Sequence, residues 1–455
     1  MTTPTPPTLL IHGGTVIDGL GNPPRRADIL VAGERILALE DVLHPSTAPS
    51  VPRIDASGLH VLPGLIDAHC HISFDEPNSN DELFFHRREG LAAIIAAANV
   101  GKLLNAGVTG FFDADSLWDI GVDLRDAIEA GIVRGPRMRT GGNALLTSVG
   151  GTAGRLIPDE GRRGYGVVVN GRDDIVREVR RQIKIGVDWI KVHVTGLTPR
   201  QKVKGEVQVW SLDEMKLVCD TAHELGTPVV GHCRGASSTR AAALAGFDMI
   251  LHATYMDEEA LAVVVDKRVP IVPTFTFQAN LADYGAAVGA SAGIRKLFQK
   301  EITDSAVMLK RAYDAGVPLL CGSESGFSIT PYGEWHYREL EVFVNDLGLT
   351  PLQAIKAATS ANAFALGLDG QTGAIEIGRL ADIIVVDGDV ARDVSLLGER
   401  TRLRHVVLNG ELLALSPSPA RRDPPGWRAP HYGTRILRRE VVAEQDNSAT
   451  ARHGE

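Results

Sequence analysis

From about residue 62 to residue 365 the chain alternates two kinds of segment. Short apolar runs (TGFFDA, VDWIKVHV, TPVVGHC, FDMILHA, VPIVPTF and VPLLCG) are separated by amphipathic stretches such as DDIVREVRRQIKIG and SLDEMKLVCDTAHELG. Runs that are apolar at nearly every position are strands covered on both faces, as in a parallel sheet flanked by its crossover helices. Repeated over about 300 residues, this order predicts an α/β fold, a (β/α)8 TIM barrel, with a doubly wound open sheet as the alternative. The flanks read differently. LLIHGGTVIDG, ADILVAGERILAL and LHVLPG, and much later TGAIEIGRLADIIVVDGD and LRHVVLNGELLAL, are short β-rich runs split by Gly and Asp turns. They predict a small antiparallel sheet, with both chain ends building one β-sandwich. The expected organisation is therefore residues 1–61 and 366–415 as the two parts of the sandwich and 62–365 as the barrel. Residues 416–455 form a Pro- and Arg-rich arm whose end reads as disordered.

Composition removes several function classes. A net charge of −9, spread along 455 residues, leaves no basic stripe for nucleic acid. The start, MTTPTPPTLL, lacks a basic segment followed by a long apolar core, and the most apolar run, residues 90–104, is broken by Asn99 and Lys102. Four cysteines (Cys70, Cys219, Cys233, Cys321) are too few for a disulfide framework and fit a reducing compartment. The expectation is a cytoplasmic protein with neither membrane nor nucleic-acid partner.

Polar residues gather where the apolar runs end. GLIDAHCHI places His69 and His71 two apart, so an extended chain turns both imidazoles to one side, where they can share a metal ion or simply face solvent. His232 closes VVGH and His252 closes MILH, and each alone suits a hydrogen-bonded structural histidine. In WIKVHVTG, alternation sends Lys191 and His193 to the same side of a buried strand. A buried ammonium is costly unless paired or chemically altered, and the acid nearest in sequence is Asp188. The plain alternative is a lysine that snorkels to the strand end. Taken together, four histidines and a lysine at the ends of successive strands fall on the barrel face where catalytic residues collect.

These motifs, in this order, resemble the amidohydrolase superfamily over nearly the whole chain: GGTVIDG, PGLIDAHCH, IK closing the fourth barrel strand, histidines closing the fifth and sixth, and GAIEIGRLADIIVVDGD. The branch most similar holds imidazolonepropionases, barrel-type prolidases, and molinate and phenylurea hydrolases. The resemblance implies that Lys191 carries carbon dioxide as a carbamate and that one or two divalent ions bind, zinc first, cobalt or manganese otherwise. It further implies His69 and His71 on one metal, His232 and His252 on the other, with hydroxide held between them. His193 would stand behind the ligands or simply pack there, and is also a candidate for substrate contact. At strand eight such proteins usually read VPLLxGTDSG, whereas this chain reads VPLLCGSESG, so Glu324 takes the aspartate's place as ligand and base, with His252 as a further catalytic candidate. Thr152, in SVGGTAG, stands where relatives often carry a histidine.

In TPYGEWHYREL, Trp335, His336, Tyr337 and Arg338 mix groups suited to a substrate pocket or to a helix start, and Tyr255 is a weaker pocket candidate. Cys70, Cys233 and Cys321 adjoin strand ends, but small buried residues are common in barrels and thiolate ligation is disfavoured. The apolar and cationic run RAPHYGTRILRREVV suggests packing on a neighbour in a homo-oligomer. The expected activity is metal-dependent hydrolysis of a C–N bond in an amide, urea or carbamate, with an aryl urea, thiocarbamate or dipeptide as substrate. The alternatives are a deaminase or cyclic-amidine hydrolase, a lactonase, or a barrel retained as a scaffold.

Overall fold

Residues 190–193 and their neighbours show how the chain sets its strands. The computed structural model describes residues 6–43, 51–77, 88–151, 164–197, 205–416 and 435–444. Helix Arg172–Ile185 stops at Gly186, whose φ of 98° is the left-handed C-cap that glycine adopts without a Cβ penalty, and the chain then enters strand Ile190–His193. The next helix, Leu212–His223, starts with a capping box in which Ser211 and Glu214 satisfy each other's backbone N–H groups. Strand Val229–Cys233 follows it and pairs in parallel with Ile190–His193.

Parallel pairing recurs along the middle of the chain. Leu65–Cys70, Val108–Asp113 and Arg137–Thr140 form one sheet; Gly166–Val168, Ala144–Leu146, Ile190–His193, Val229–Cys233, Met249–His252 and Ile271–Val272 form another. Backbone bonds link the two. Thr140 O accepts from Asp188 N at 3.0 Å and Trp189 N at 3.1 Å, while residues 318–321 lie between the remaining edges, with Leu320 N donating to Ile271 O at 2.8 Å and Ala68 N to Cys321 O at 2.9 Å. Ala68, Phe112, Trp189, Val230, Leu251, Val272 and Leu320, drawn from seven such segments, pack into one buried cluster, and a larger apolar core lies between the strands and their helices. No helix among the described residues is long and apolar enough to cross a membrane.

The two chain ends meet in a separate eight-stranded sheet. Ile383–Val386 is its junction, antiparallel both to His60–Pro63 from the N-terminal part and to Leu403–Leu408. The sheet is mixed rather than antiparallel, because Pro7–Val16 runs parallel to Arg53–Asp55 and His60–Pro63. Arg137 ties this sheet to the parallel strands through Asp382, at 2.7 Å.

Of the C-terminal arm, residues 435–444 are described. Ile436, Leu437 and Val441 are buried against this chain's own surface, with Leu437 N donating to Ser328 O at 2.9 Å and Leu437 O accepting from Trp335 Nε1 at 3.0 Å. The apolar side of these residues is therefore covered within this chain, and the rest of the run, residues 428–434, lies outside the described residues. Thr152 lies outside the described residues.

Candidate metal centre

Four buried imidazoles, one from each of three strands and a fourth, His71, from just past the end of the first, form a contiguous chain. Ring centroids lie 4.9 Å apart for His69 and His71, 5.3 Å for His69 and His252, and 4.5 Å for His252 and His232. Strict alternation would not bring them together. The register between the first two strands of the three-stranded sheet shifts between Asp67 and Cys70, and His252 has φ of 70°, so local irregularities turn these side chains inward where parity would separate them from Ala68 and Leu251. Gly322 is needed beside them, since a Cβ there would stand 2.5 Å from His69 Cβ and 2.6 Å from Val272 Cγ1.

Hydrogen bonds determine which nitrogen of each ring keeps a lone pair. Thr274 Oγ1 gives its proton to Val272 O at 3.1 Å, so it accepts from His69 Nδ1 at 2.9 Å, and His69 Nε2 is left bare and buried, with no partner among the described residues. His71 Nδ1 faces only acceptors, Asp115 O at 3.2 Å and Asp115 Oδ1 at 3.1 Å, so it carries the proton and its Nε2 is free to ligate. His232 Nε2 lies 2.9 Å from the Glu206 carboxylate, leaving its Nδ1 to face His252 Nε2 at 3.0 Å. Two nitrogens bound to one tetrahedral zinc stand about 3.3 Å apart, close to this separation.

Lys191 is fully buried and does not snorkel. Its Nζ meets Asp115 Oδ1 at 3.2 Å, and the other oxygen of that carboxylate is 3.3 Å from His193 Nε2, which also lies 3.0 Å from Tyr165 OH. Burial works against the Asp115 charge, but Lys191 and His71 outweigh it and hold the carboxyl well below its ordinary range. His71 is pulled down by burial and pushed up more strongly by Asp115. His193 falls to about 3, chiefly through burial. Sequence reading missed Asp115. Its signal was the DAD following TGFF, a second strand that ends on alternating carboxylates; Asp188, the acid nearest in sequence to the lysine, instead pairs with Arg125 at 2.8 Å.

Glu324 completes the group. Its backbone has φ of 53° and is held by Glu324 N donating to His69 O at 2.7 Å, and its Oε1 lies 3.9 Å from His252 Nε2. Burial raises this carboxyl to about 7, against the pull of His71, Arg234 and Lys191. Two sets of side chains have ligand atoms within 4.8 Å of one another: His69, His71 and Asp115, and His69, His252 and Glu324. Nitrogen and carboxylate donors at this spacing suit zinc, cobalt or manganese. The bare His69 Nε2, a buried polar atom with no partner among the described residues, is what a missing ion would leave behind.

Of the residues proposed for substrate contact, His336, Trp335, Tyr337 and Arg338 are engaged by neighbouring elements of the chain, and Tyr255 and His193 by polar groups next to the histidines. His336 is buried, with Nδ1 2.6 Å from Asp67 Oδ2 and 3.3 Å from Ser323 Oγ, bracing strand Leu65–Cys70 against the segment that follows residues 318–321. Trp335 and Tyr337 pack with the C-terminal segment, and Arg338 pairs with Glu341 at 2.6 Å and with Asp283. Tyr255 OH reaches Glu301 Oε2 at 3.5 Å, in a polar group that includes Arg234 and Gln278. Cys70, Cys233 and Cys321 are buried thiols pushed up by desolvation, as expected of packing residues.

The Amidohydrolase family model matches residues 60–413. Ochratoxinase of Aspergillus niger is 27% identical over 430 residues, covering 89% of this chain and 86% of that protein. Among solved structures, a prolidase complexed with N-methylphosphonate-L-proline superposes with a TM-score of 0.77 at 25% identity, covering 90% of this chain and 100% of the other. A Xaa-Pro dipeptidase with bound methionine superposes with a TM-score of 0.76 at 28% identity, covering 89% and 99%.

Proposed function

Because the chain belongs to the amidohydrolase family, and is therefore a hydrolytic enzyme acting on carbon–nitrogen bonds, we propose that it cleaves a small-molecule amide, urea or carbamate at the centre described above. We read its parallel strands, with residues 318–321 as the eighth, as a (β/α)8 barrel that presents this centre at one end; the backbone bonds at both seams support that reading. The observation that carries the functional proposal is the bare, buried His69 Nε2 set among His71, His252 and Glu324.

A divalent ion, zinc in the first place and cobalt or manganese otherwise, would be held by His69, His71, His232, His252 and Glu324, singly or as a pair. Lys191 would join them as the carbamate formed with carbon dioxide. When bound, such ions polarise a carbonyl oxygen and make water a nucleophile near neutral pH. Glu324, raised to about 7, is poised to take a proton from water and deliver it to the departing nitrogen. His252, whose Nε2 lies 3.9 Å from that carboxylate, is a further catalytic candidate. His193, bonded to Asp115 and Tyr165, holds the carboxylate that faces Lys191 and His71. Four buried, unpaired cysteines support a reducing, cytoplasmic setting.

Similarity to a prolidase and a Xaa-Pro dipeptidase puts Xaa-Pro dipeptides first in a screen with N-acyl amino acids, aryl ureas and thiocarbamates, read out as amine release. On the substrate found, Glu324→Gln should lower kcat by about 10²-fold to 10⁴-fold with little change in KM. Wild-type turnover should fall as pH drops, because burial favours the protonated carboxyl, which no longer accepts a proton. Amine release from none of these classes, or near-normal turnover in Glu324→Gln, counts against the proposal.

A further inference from the structure

We propose that Glu206 is a positioning residue for the metal centre: it fixes the tautomer and orientation of His232 so that His232 Nδ1 and His252 Nε2 face one ion. This rests on the metal-dependent reading above. Glu206 belongs to no barrel strand; it opens the segment that leads into the short strand Val207–Gln208. Its carboxylate is nevertheless held from several sides. Oε2 lies 2.9 Å from His232 Nε2 and accepts from Thr195 Oγ1 at 2.9 Å, Oε1 lies 3.5 Å from Arg234 Nε, and its backbone N donates to Arg234 O at 2.8 Å.

The chemistry of these contacts leaves His232 one arrangement. Thr195 Oγ1 already donates to Oε2 and the Arg234 guanidinium faces Oε1, so the Glu206 carboxylate meets His232 as an acceptor only. His232 Nε2 must therefore carry the ring's proton, and Nδ1 keeps the lone pair. A carboxylate behind a ligating imidazole also raises the basicity of the ligand, which strengthens metal binding. The His232 ring has further support from His193, which stacks on it with centroids 4.9 Å apart and planes 3° from parallel.

The chain makes a specific allowance for this contact. Gly205, immediately before Glu206, has φ of 79°, and a Cβ there would stand 2.0 Å from Arg234 O. Only glycine lets the segment lie against the end of strand Val229–Cys233 closely enough for Glu206 to reach His232. Arg234 is occupied on its other side by Glu301, so it acts on Glu206 as a fixed counter-charge.

The test is cobalt(II) binding to the metal-free protein in competition with a chelator, read by visible absorption, for wild type and Glu206→Gln. The amide preserves shape but removes the charge. Affinity is expected to fall about 10-fold to 100-fold, with altered cobalt bands and a metal-free melting temperature close to wild type. Wild-type affinity and spectrum in Glu206→Gln would overturn the proposal. If Glu206→Gln does not fold, Thr195→Val, which removes one bond to the same oxygen, decides it: weaker cobalt binding upholds the role and unchanged binding overturns it. A wild-type protein that binds no cobalt overturns both this role and the metal-dependent reading, whereas cobalt binding without amine release from any substrate class leaves the role standing and removes only the hydrolase reading.

Discussion

Lys191 and Asp115 meet with Nζ and Oδ1 3.2 Å apart, both fully buried. Without a metal, each charge has the other as its principal counter-ion, and removing one leaves the other stranded in a medium of low polarity. Breaking such a pair costs about 3–5 kcal/mol, while replacing both members costs much less. Lys191→Ala and Asp115→Asn should therefore each destabilise the metal-free protein strongly in urea unfolding, and the double variant should lose clearly less than the sum. Additive losses would show that the two do not interact. Lys191→Ala should also abolish metal binding, and Lys191→Arg should do the same, because a guanidinium stays charged and does not form a carbamate. Asp115 came to light only in the structure, because its partners His71, Lys191 and His193 lie 44, 76 and 78 positions away and no local pattern joins them.

At the level of elements, the centre depends on how closely residues 318–324 approach strand Leu65–Cys70. Gly322 sits in that seam with no room for a methyl group: its nearest neighbours would be His69 Cβ at 2.5 Å and Val272 Cγ1 at 2.6 Å. Gly322→Ala should therefore overpack the junction, costing about 1–3 kcal/mol, and weaken cobalt binding because His69 must shift. Gly101, inside helix Glu89–Leu104, is the contrast: nothing lies within 4 Å of its would-be Cβ. Gly101→Ala should stabilise the protein by about 0.5–1 kcal/mol through helix propensity, with metal affinity unchanged. Equal effects at the two positions, in denaturant unfolding and cobalt titration, would contradict this account of the seam. The same seam explains why His336, which reads as a pocket residue in TPYGEWHYREL, instead hydrogen-bonds Asp67 and Ser323.

For the whole molecule, the eight-stranded sheet joins the two chain ends, and the C-terminal segment crosses back to cover Trp335 and Leu281. Ile436, Leu437 and Val441 are buried within their own chain, and we propose a homo-oligomer that joins through another face. Leu437→Asp should then lower the melting temperature, through a buried charge beside Trp335, without changing the mass measured by light scattering. Dissociation of an oligomer by that single change would return the segment to the interface. A wild-type protein that is monomeric at micromolar concentration would exclude the assembly.

Alternation of apolar strands and amphipathic helices was readable from the chain because periodicity is local: each strand and helix declares itself within about a dozen residues. The same holds for the histidines, the lysine and Glu324, which stand at strand ends, and for the pairing of the two flanks, whose turn-rich β runs match nothing in between. Tertiary structure decided the rest. Whether Lys191 is paired depends on Asp115, across two strands; whether His232 presents Nδ1 depends on Glu206, from a loop; whether the four imidazoles converge depends on a register shift near Asp67 and a positive φ at His252. Counter-charges, tautomers and inward turns are properties of neighbours in space, and the identity of those neighbours exists only once the chain has closed on itself.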